Sequence, residues 1–221
     1  MSGGKASEQR PEWDCSRAEL LADGTVHLIG VAFGLSAVVA LVVLTTQTVG
    51  PLRLALVLAY SISLLAVLVT SAAYNLWPVS RAKWVLRRFD HSAIYLLIAG
   101  TYSPFIAPLK GAASTALLIG VWMASLIGIA LKLRFPGRFD RLSICLYLLT
   151  GWSGVLAYET IAALPYATLW LLALGGLLYT IGVVFHLWHR LPFQNVIWHT
   201  FVLAGAACHY GAVLDYMVLH V

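Results

Sequence analysis

Charge is scarce in this 221-residue chain, in which Asp, Glu, Lys and Arg together make up only 10% of the residues. Because a soluble domain carries about 25% charged residues, this shortage argues against a water-soluble protein. Hydrophobic residues make up 61% of the sequence and form long uncharged runs, which is typical of a chain that crosses a membrane several times. We therefore predict an all-α integral membrane protein, multi-pass in the cell inner (plasma) membrane.

Cysteine is also rare, and its placement matches no metal-binding or redox motif. Cys15 lies in the N-terminal segment, whereas Cys145 and Cys208 fall within apolar runs. Because no pair of them has the spacing of a CxxC motif, we interpret all three as free thiols that behave as small hydrophobic side chains.

Basic residues outnumber acidic ones, which gives a formal net charge of +5. They occur in short clusters between apolar runs, a placement typical of contact with anionic lipid headgroups rather than with nucleic acid. The predicted partners are therefore membrane lipids and no nucleic acid, while protein partners and an oligomeric state are left open.

Seven apolar segments are long enough to cross a bilayer, which requires roughly 20 mostly apolar residues. They are residues 25–46, 52–75, 91–108, 112–131, 142–164, 167–188 and 195–218. The sequence therefore predicts a seven-transmembrane-helix bundle over residues 21–221, preceded by an N-terminal cytoplasmic tail at residues 1–20.

The distribution of Lys and Arg predicts the orientation of this bundle. Twelve of these residues lie in the tail and the connections on one side, and only Arg53 and Lys110 lie on the other. Because basic residues collect on the cytoplasmic side of membrane proteins, we expect the N-terminus in the cytoplasm and the C-terminus outside.

Five polar residues are predicted to meet at the cytoplasmic rim. Ser71 and Asn75 end the second span, and Asn195 and His199 open the seventh; each pair shares one helix face because its members are four residues apart. Asp90 opens the third span. Together they offer a carboxylate, an imidazole, a hydroxyl and two amides, which suits binding a cation or orienting a water.

Each of these residues also has a purely structural interpretation. Asn75 fits the C-cap of a helix, and Asp90 and Asn195 fit N-caps. His199 lies a full turn inside a span, where an imidazole can simply hydrogen-bond a neighbouring helix.

Two segments resemble the signature of a known family. They are RFDHSAIYLLIAGTYSP at residues 88–104 and IWHTFVLAGAACH at residues 197–209, and both are similar to the hemolysin III family. The spacing of Glu19, Asp23 and His27 fits the same family. This family belongs with the progestin and adiponectin receptors, a larger group of seven-span proteins.

The resemblance, which covers about residues 18–220, implies a zinc site near the cytoplasmic face and amide hydrolysis on lipids such as ceramides. In the receptor pattern, Ser and His stand four residues apart on the second span, Asp at the third, and two His four apart on the seventh. Carried onto this chain, these positions are Ser71, Asn75, Asp90, Asn195 and His199. The resemblance thus implies Ser71, Asp90 and His199 as catalytic residues, with His199 and Asp90 as metal ligands.

Asn75 and Asn195 stand where this pattern has histidine. An amide oxygen is a weak, neutral donor, and a catalytic zinc takes three protein ligands, usually His, Cys or carboxylate. Three outcomes stay open: neighbouring residues complete a rearranged zinc site, a weaker or different cation binds, or a metal-free hydrogen-bond network holds the site. We favour the third. The residues that would complete a rearranged site are His27, His91 and Asp23.

Three functions follow from this reading. The first is a lipid hydrolase in membrane lipid homeostasis, with Asp90 as base or partner of a metal-activated water, His199 as ligand or base, and Ser71 as a substrate contact. The second is a pore-forming, cytolytic or ion-conducting protein. The third is a sensor or regulator of membrane state, whose basic segment 81–88 contacts anionic lipid or a cytosolic protein.

Overall fold

A computed structural model describes residues 16–48 and 50–220 of the chain, and within them it contains helices and no β-strand. The helices are α1 (Arg17–Thr48), α2 (Pro51–Leu76), α3 (Arg81–Ile106), α4 (Ala112–Arg134), α5 (Asp140–Gly151), α6 (Ser153–Leu156), α7 (Tyr158–Ile161), α8 (Tyr166–Leu187) and α9 (Gln194–Leu214), followed by a π-helical turn (Asp215–Leu219). Cys145 and Cys208 are free thiols, as predicted, while Cys15 lies outside the described residues.

α1 begins where the sequence provides a helix-start signal. Before α1, Ser16 Oγ accepts from the backbone N–H of Glu19 at 3.2 Å, and Glu19 Oε2 accepts from the backbone N–H of Ser16 at 2.9 Å. This reciprocal pair is a capping box. It starts α1 at Arg17, inside the region 1–20 that was predicted as a tail; residues 1–15 lie outside the described residues.

Five helical stretches are long and apolar enough to cross a membrane, and they coincide with five of the seven predicted spans. They are Arg17–Gln47, Pro51–Leu76, Ala112–Arg134, Tyr166–Leu187 and Gln194–Leu219. The remaining two predicted spans are helical as well, but their boundaries differ from the prediction.

The third predicted span is the apolar part of a longer helix. α3 begins at Arg81, ten residues before the predicted boundary at residue 91. The hydroxyl of Ser80 caps its first turn, and the Arg and Lys residues that follow are good helix formers despite their charge. Asp90 therefore lies inside α3 and is not its N-cap.

The fifth predicted span, residues 142–164, is broken into α5, α6 and α7, so the prediction of one continuous helix there is wrong. The Tyr102 hydroxyl fills the break: it donates to the carbonyl oxygen of Gly151 at 2.8 Å and accepts from the backbone N–H of Gly154 at 2.8 Å. Because unpaired backbone groups are costly in hydrocarbon, this phenol makes the irregular backbone tolerable.

The helices pack around a cavity. α1 to α4 pack against one another in chain order, α8 packs along α9, and α9 returns to α1. Tyr60, Tyr95, Leu41 and Val213 are among the large side chains that this packing buries completely. A cavity of about 1330 Å³ lies among α1, α2, α3, α5, α8 and α9, so its walls come from both ends of the described chain.

One glycine of α4, Gly128, permits close packing against α3, whereas a second, Gly120, makes no close contact. A Cβ at Gly128 would lie 2.4 Å from two ring carbons of Tyr95, whereas a Cβ at Gly120 would meet nothing within 4 Å. The Tyr95 ring is itself held by the Tyr147 ring, whose centroid is 4.3 Å away. The ring therefore has little room to move.

Gly128→Ala is expected to destabilise the bundle by about 1–3 kcal/mol, because overpacking a filled core has a cost of that size. Gly120→Ala on the same helix is the matched control and is expected to be neutral or slightly stabilising, since Ala favours helix over Gly. The measurement is the apparent Tm of each variant in detergent. An equal Tm for both variants would contradict the prediction.

Candidate functional site

The site is built on a contact between α1 and α9. Nδ1 of His199 lies 2.6 Å from Oδ1 of Asp23. Both residues are buried, with 6% of Asp23 and 9% of His199 exposed, and a buried carboxylate has to be paired. When Nδ1 of the neutral imidazole donates to the carboxylate, Nε2 is left as an acceptor.

His27 completes a compact group with these two residues. It follows Asp23 by four residues on α1, and its Nε2 lies 3.5 Å from Oδ2 of Asp23. Its ring centroid is 4.4 Å from that of His199, and ligand atoms from all three residues lie within 4.8 Å of one another. Nε2 of His27 is buried and makes no hydrogen bond with the described residues, so a further partner would satisfy it.

The donor set of this group suits a zinc ion. Two imidazoles and one carboxylate, with a fourth position left for water, are typical ligands of catalytic zinc. Ligand atoms of a tetrahedral zinc lie about 3.3 Å apart, given bonds of about 2.0–2.1 Å, which is close to the 3.5 Å between His27 Nε2 and Asp23 Oδ2. Without an ion, the shorter 2.6 Å contact of Asp23 with His199 is a hydrogen bond, and an ion bound by both residues would take the place of its proton.

One face of α2 lies against the group. Nδ2 of Asn75 donates to the carbonyl oxygen of Ser71 at 3.0 Å and to its Oγ at 3.3 Å. The same nitrogen lies 3.5 Å from Nε2 of His199. The structure thus brings Ser71, Asn75 and His199 together, and Asn75 is not a helix cap, because the C-cap of α2 is Trp77.

Asp90 of α3 lies beside Ser71 of α2. Nε2 of His91 is 4.0 Å from Oδ2 of Asp90. Neither residue belongs to the compact group of ligand atoms formed by the described residues Asp23, His27 and His199. Asp90 is therefore placed next to that group and not within it.

Asn195 lies in the first turn of α9, half-buried in the wall of the cavity. It is not the N-cap, because that position belongs to Phe193.

Asp23 and His27 were named from the sequence only as replacements for missing ligands. The signal that would have ranked them higher is their spacing: an Asp and a His four residues apart share one face at the start of the first apolar run. What the sequence does not contain is the register of α1 against α9, which places Asp23 beside a residue 176 positions later.

Three further ionisable residues of the predicted spans, His209, Asp215 and Glu159, lie apart from the group. Nε2 of His209 faces the carbonyl oxygen of Leu172 at 3.3 Å, and Oδ2 of Asp215 accepts from the hydroxyl of Thr168 at 2.5 Å. Glu159 is exposed on α7. None of these three residues belongs to the compact group of ligand atoms that the described residues form.

The cavity has one polar end and a long apolar wall. Asp23, His27 and His199 line it beside the N-terminal half of α3, and the lining continues along α3 from Arg87 to Ile106. At about 1.5 Å per helical residue, those 19 residues span about 28 Å. Further along, the wall is built from Phe105, Ile106, Leu164 and Leu169.

Comparisons with known proteins give the family. A family model described as Haemolysin-III related matches residues 19–210. The chain is 38% identical over 202 residues to the Hemolysin-3 homolog of Bacillus subtilis (strain 168), which covers 90% of this chain and 95% of that protein. It is 33% identical over 205 residues to Hemolysin-3 of Bacillus cereus, with 90% and 92% covered. The human Monocyte to macrophage differentiation factor is 28% identical over 165 residues, with 72% and 68% covered.

These matches confirm the resemblance that the two signature segments indicated. The five apolar helical stretches likewise confirm the prediction of several membrane-crossing helices. The chain is thus a multi-pass membrane protein and belongs to the haemolysin-III-related family.

Proposed function

We propose that this protein is a membrane-embedded, metal-dependent hydrolase of lipid amides or esters that acts in membrane lipid homeostasis. The observation that carries the proposal is the group of Asp23, His27 and His199 at the polar end of a cavity that also has a long apolar wall. A cation site in such a place reaches lipid substrates more readily than soluble ones. Pore formation and membrane sensing stay predictions from the sequence.

We further propose a seven-helix bundle in the cell inner membrane, with the N-terminus in the cytoplasm and the C-terminus outside. Two elements are added to the five apolar stretches: α3, and the broken run from α5 to α7 counted as one crossing. The excess of basic residues on one side supports this orientation. It places the polar end of the cavity at the cytoplasmic face.

Asp23, His27 and His199 would hold a divalent cation, which would supply Lewis-acid polarisation of an amide or ester carbonyl. Until an ion is bound, the 2.6 Å contact with Asp23 holds the His199 ring in one orientation. The Ser71 hydroxyl donates a hydrogen bond to the carbonyl oxygen as negative charge develops there.

Asp90, next to Ser71, accepts the proton of the attacking water and returns it to the leaving nitrogen or oxygen, as a general base and then acid. The apolar wall formed by Phe105, Ile106 and Leu164 takes up the acyl chain and excludes bulk water.

Purified protein is expected to contain zinc in stoichiometric amount, and His27→Ala and His199→Ala are expected to lose it, because each removes one of three ligands. His209→Ala is the matched control: it removes a half-buried histidine of α9 that faces a backbone carbonyl outside the group. The measurement is the zinc content of the wild-type protein and the three variants by elemental analysis. The Tm of each variant is measured as well, to exclude unfolding. If the wild-type protein contains no metal, or if all variants contain equal zinc, the proposed metal site is contradicted.

Asp90→Asn is expected to retain zinc but lose lipid turnover by about 100-fold or more, which is the usual size of a general-base contribution. The measurement is hydrolysis of a lipid amide and a lipid ester in proteoliposomes, alongside zinc content. Unchanged turnover of both lipids would contradict the role of Asp90.

Asn75→His is expected to tighten zinc binding by about tenfold or more, equivalent to at least about 1.4 kcal/mol. The reason is that the variant places an imidazole where an amide nitrogen now lies 3.5 Å from His199 Nε2, and imidazole is a far better zinc ligand than an amide. Asn75→Leu is the control, since it removes the amide without adding a donor. Zinc affinity is measured by competition with a chelator; equal affinity in both variants would refute the expectation.

A further inference from the structure

The cavity carries a second charged cluster, built from α3, α4 and α5, that the proposed reaction does not use. Nη2 of Arg87 lies 2.8 Å from Oδ2 of Asp140, and Nζ of Lys132 lies 2.6 Å from Oδ1 of the same carboxylate. The side chain of Lys132 is 3% exposed and that of Arg87 13%, whereas that of Asp140 is 40% exposed. Two largely buried cations thus share one half-exposed anion, and a second anion would stabilise them.

Both cations keep hydrogen-bond donors in reserve. Arginine has five N–H donors and lysine three, and within the described part of the chain each of these two side chains donates one hydrogen bond, to Asp140. Arg87 and Lys132 line the cavity, as does the exposed Arg141. We call Arg87, Lys132 and Arg141 the basic rim.

The connection between α4 and α5 holds the Arg87 guanidinium in place. Gly137 in this connection has a φ of 74°, and a Cβ there would lie 2.8 Å from Nη1 of Arg87. The ring of Trp84 lies 5.7 Å from Cζ of Arg87 on α3 itself. A guanidinium packed in this way has already lost much of its rotamer freedom, which lowers the entropic cost of binding an anion.

The basic rim lies at the same polar end of the cavity as Asp23, His27 and His199. Arg87 precedes Asp90 by three residues, so both side chains lie on one face of α3. His186 of α8 lines this cavity together with His199 and Arg87. The carboxylate of Asp23 on α1 and the cations of the rim therefore face one cavity from different helices.

We propose that the basic rim binds the phosphate of an anionic membrane lipid and so selects the substrate that is presented to Asp23, His27 and His199. The selection of a substrate rests on the proposed function, whereas the binding does not. Phosphate oxygens accept two parallel hydrogen bonds from a guanidinium and further bonds from an ammonium group. The long apolar wall of the cavity favours a lipid over free phosphate, because only the lipid has chains to place against it.

The test compares lipids that share acyl chains and differ in phosphate. Full-length protein in nonionic detergent is titrated with phosphatidylglycerol and with diacylglycerol, and bound lipid is read by native mass spectrometry. Wild-type protein is expected to prefer phosphatidylglycerol by about tenfold or more, and Arg87→Gln and Lys132→Gln each to lose about tenfold of that preference, the usual size for a charged hydrogen bond.

Two further variants keep this test interpretable. Arg141→Gln changes an exposed member of the rim, so the fold is expected to persist, with a roughly two- to fivefold loss of preference. Lys110→Gln changes an exposed lysine outside the cavity lining and is the control, with no change expected.

Several outcomes would overturn the proposal. These are equal binding of both lipids by the wild-type protein, an unchanged preference in the rim variants, and a preference lost equally in Lys110→Gln. Inorganic phosphate at millimolar concentration is added in a parallel titration; if the rim variants alter phosphate binding but not lipid binding, the ligand is free phosphate and not a lipid.

The binding test and the reaction test can fail separately. Asp23→Asn is expected to keep the preference for phosphatidylglycerol while losing lipid turnover. If the preference is found but wild-type protein hydrolyses no lipid, the proposed function fails and the phosphate site stands. If lipids are hydrolysed without regard to phosphate, the site fails and the hydrolase stands.

Discussion

The contact between Asp23 and His199 joins the first long helix of the described chain to the last. Neither a carboxylate nor an imidazole is readily buried alone in a bundle surrounded by hydrocarbon, so each makes the other tolerable. Because α1 also packs on α2, and α9 on α8, this contact and the hydrogen bond from the Tyr210 hydroxyl to the carbonyl oxygen of Ala37 close a series of helix neighbours around the cavity. The positions of His27 and Asn75 relative to His199 follow from it.

Several other polar groups of the bundle are paired in the same way. The Tyr102 hydroxyl bridges the break after Gly151, Thr168 pairs with Asp215, and Asp140 pairs with two cations. At the polar end of the cavity, Nε2 of His27 and the remaining donors of Arg87 and Lys132 exceed what the described chain itself satisfies. Because these groups line a cavity, a ligand that enters it can satisfy them.

Local patterns in the sequence predicted the parts of the structure that depend on neighbours along one helix. Long apolar runs located five membrane-length helices, and spacing of four residues located the shared face of Ser71 and Asn75. The start of α3 was missed because hydropathy falls at charged residues while helix propensity does not. The break after Gly151 was missed because its partner, Tyr102, is 49 residues away.

For the candidate site too, the sequence did not predict contacts between residues on different helices. His199 was identifiable because a histidine inside an apolar run stands out by itself. The pairing of Asp23 with it was not, because any of Asp23, Asp90, His27 or His91 satisfies the composition of a metal site, and only helix register decides among them. The family resemblance directed attention to Asn75 and Asn195, and the side chain of Asn75 lies 3.5 Å from His199 Nε2.

The placement of the site's residues has a consequence for biosynthesis. Chains are synthesised from the N-terminus, and their early segments generally fold first. Asp23 and His27 are thus inserted with α1 and have only each other as partners until α9 arrives with His199, so the group stays incomplete for most of the period of insertion. A ligand that binds the completed group favours only the assembled state, and its presence would mark the molecules in which insertion has been completed.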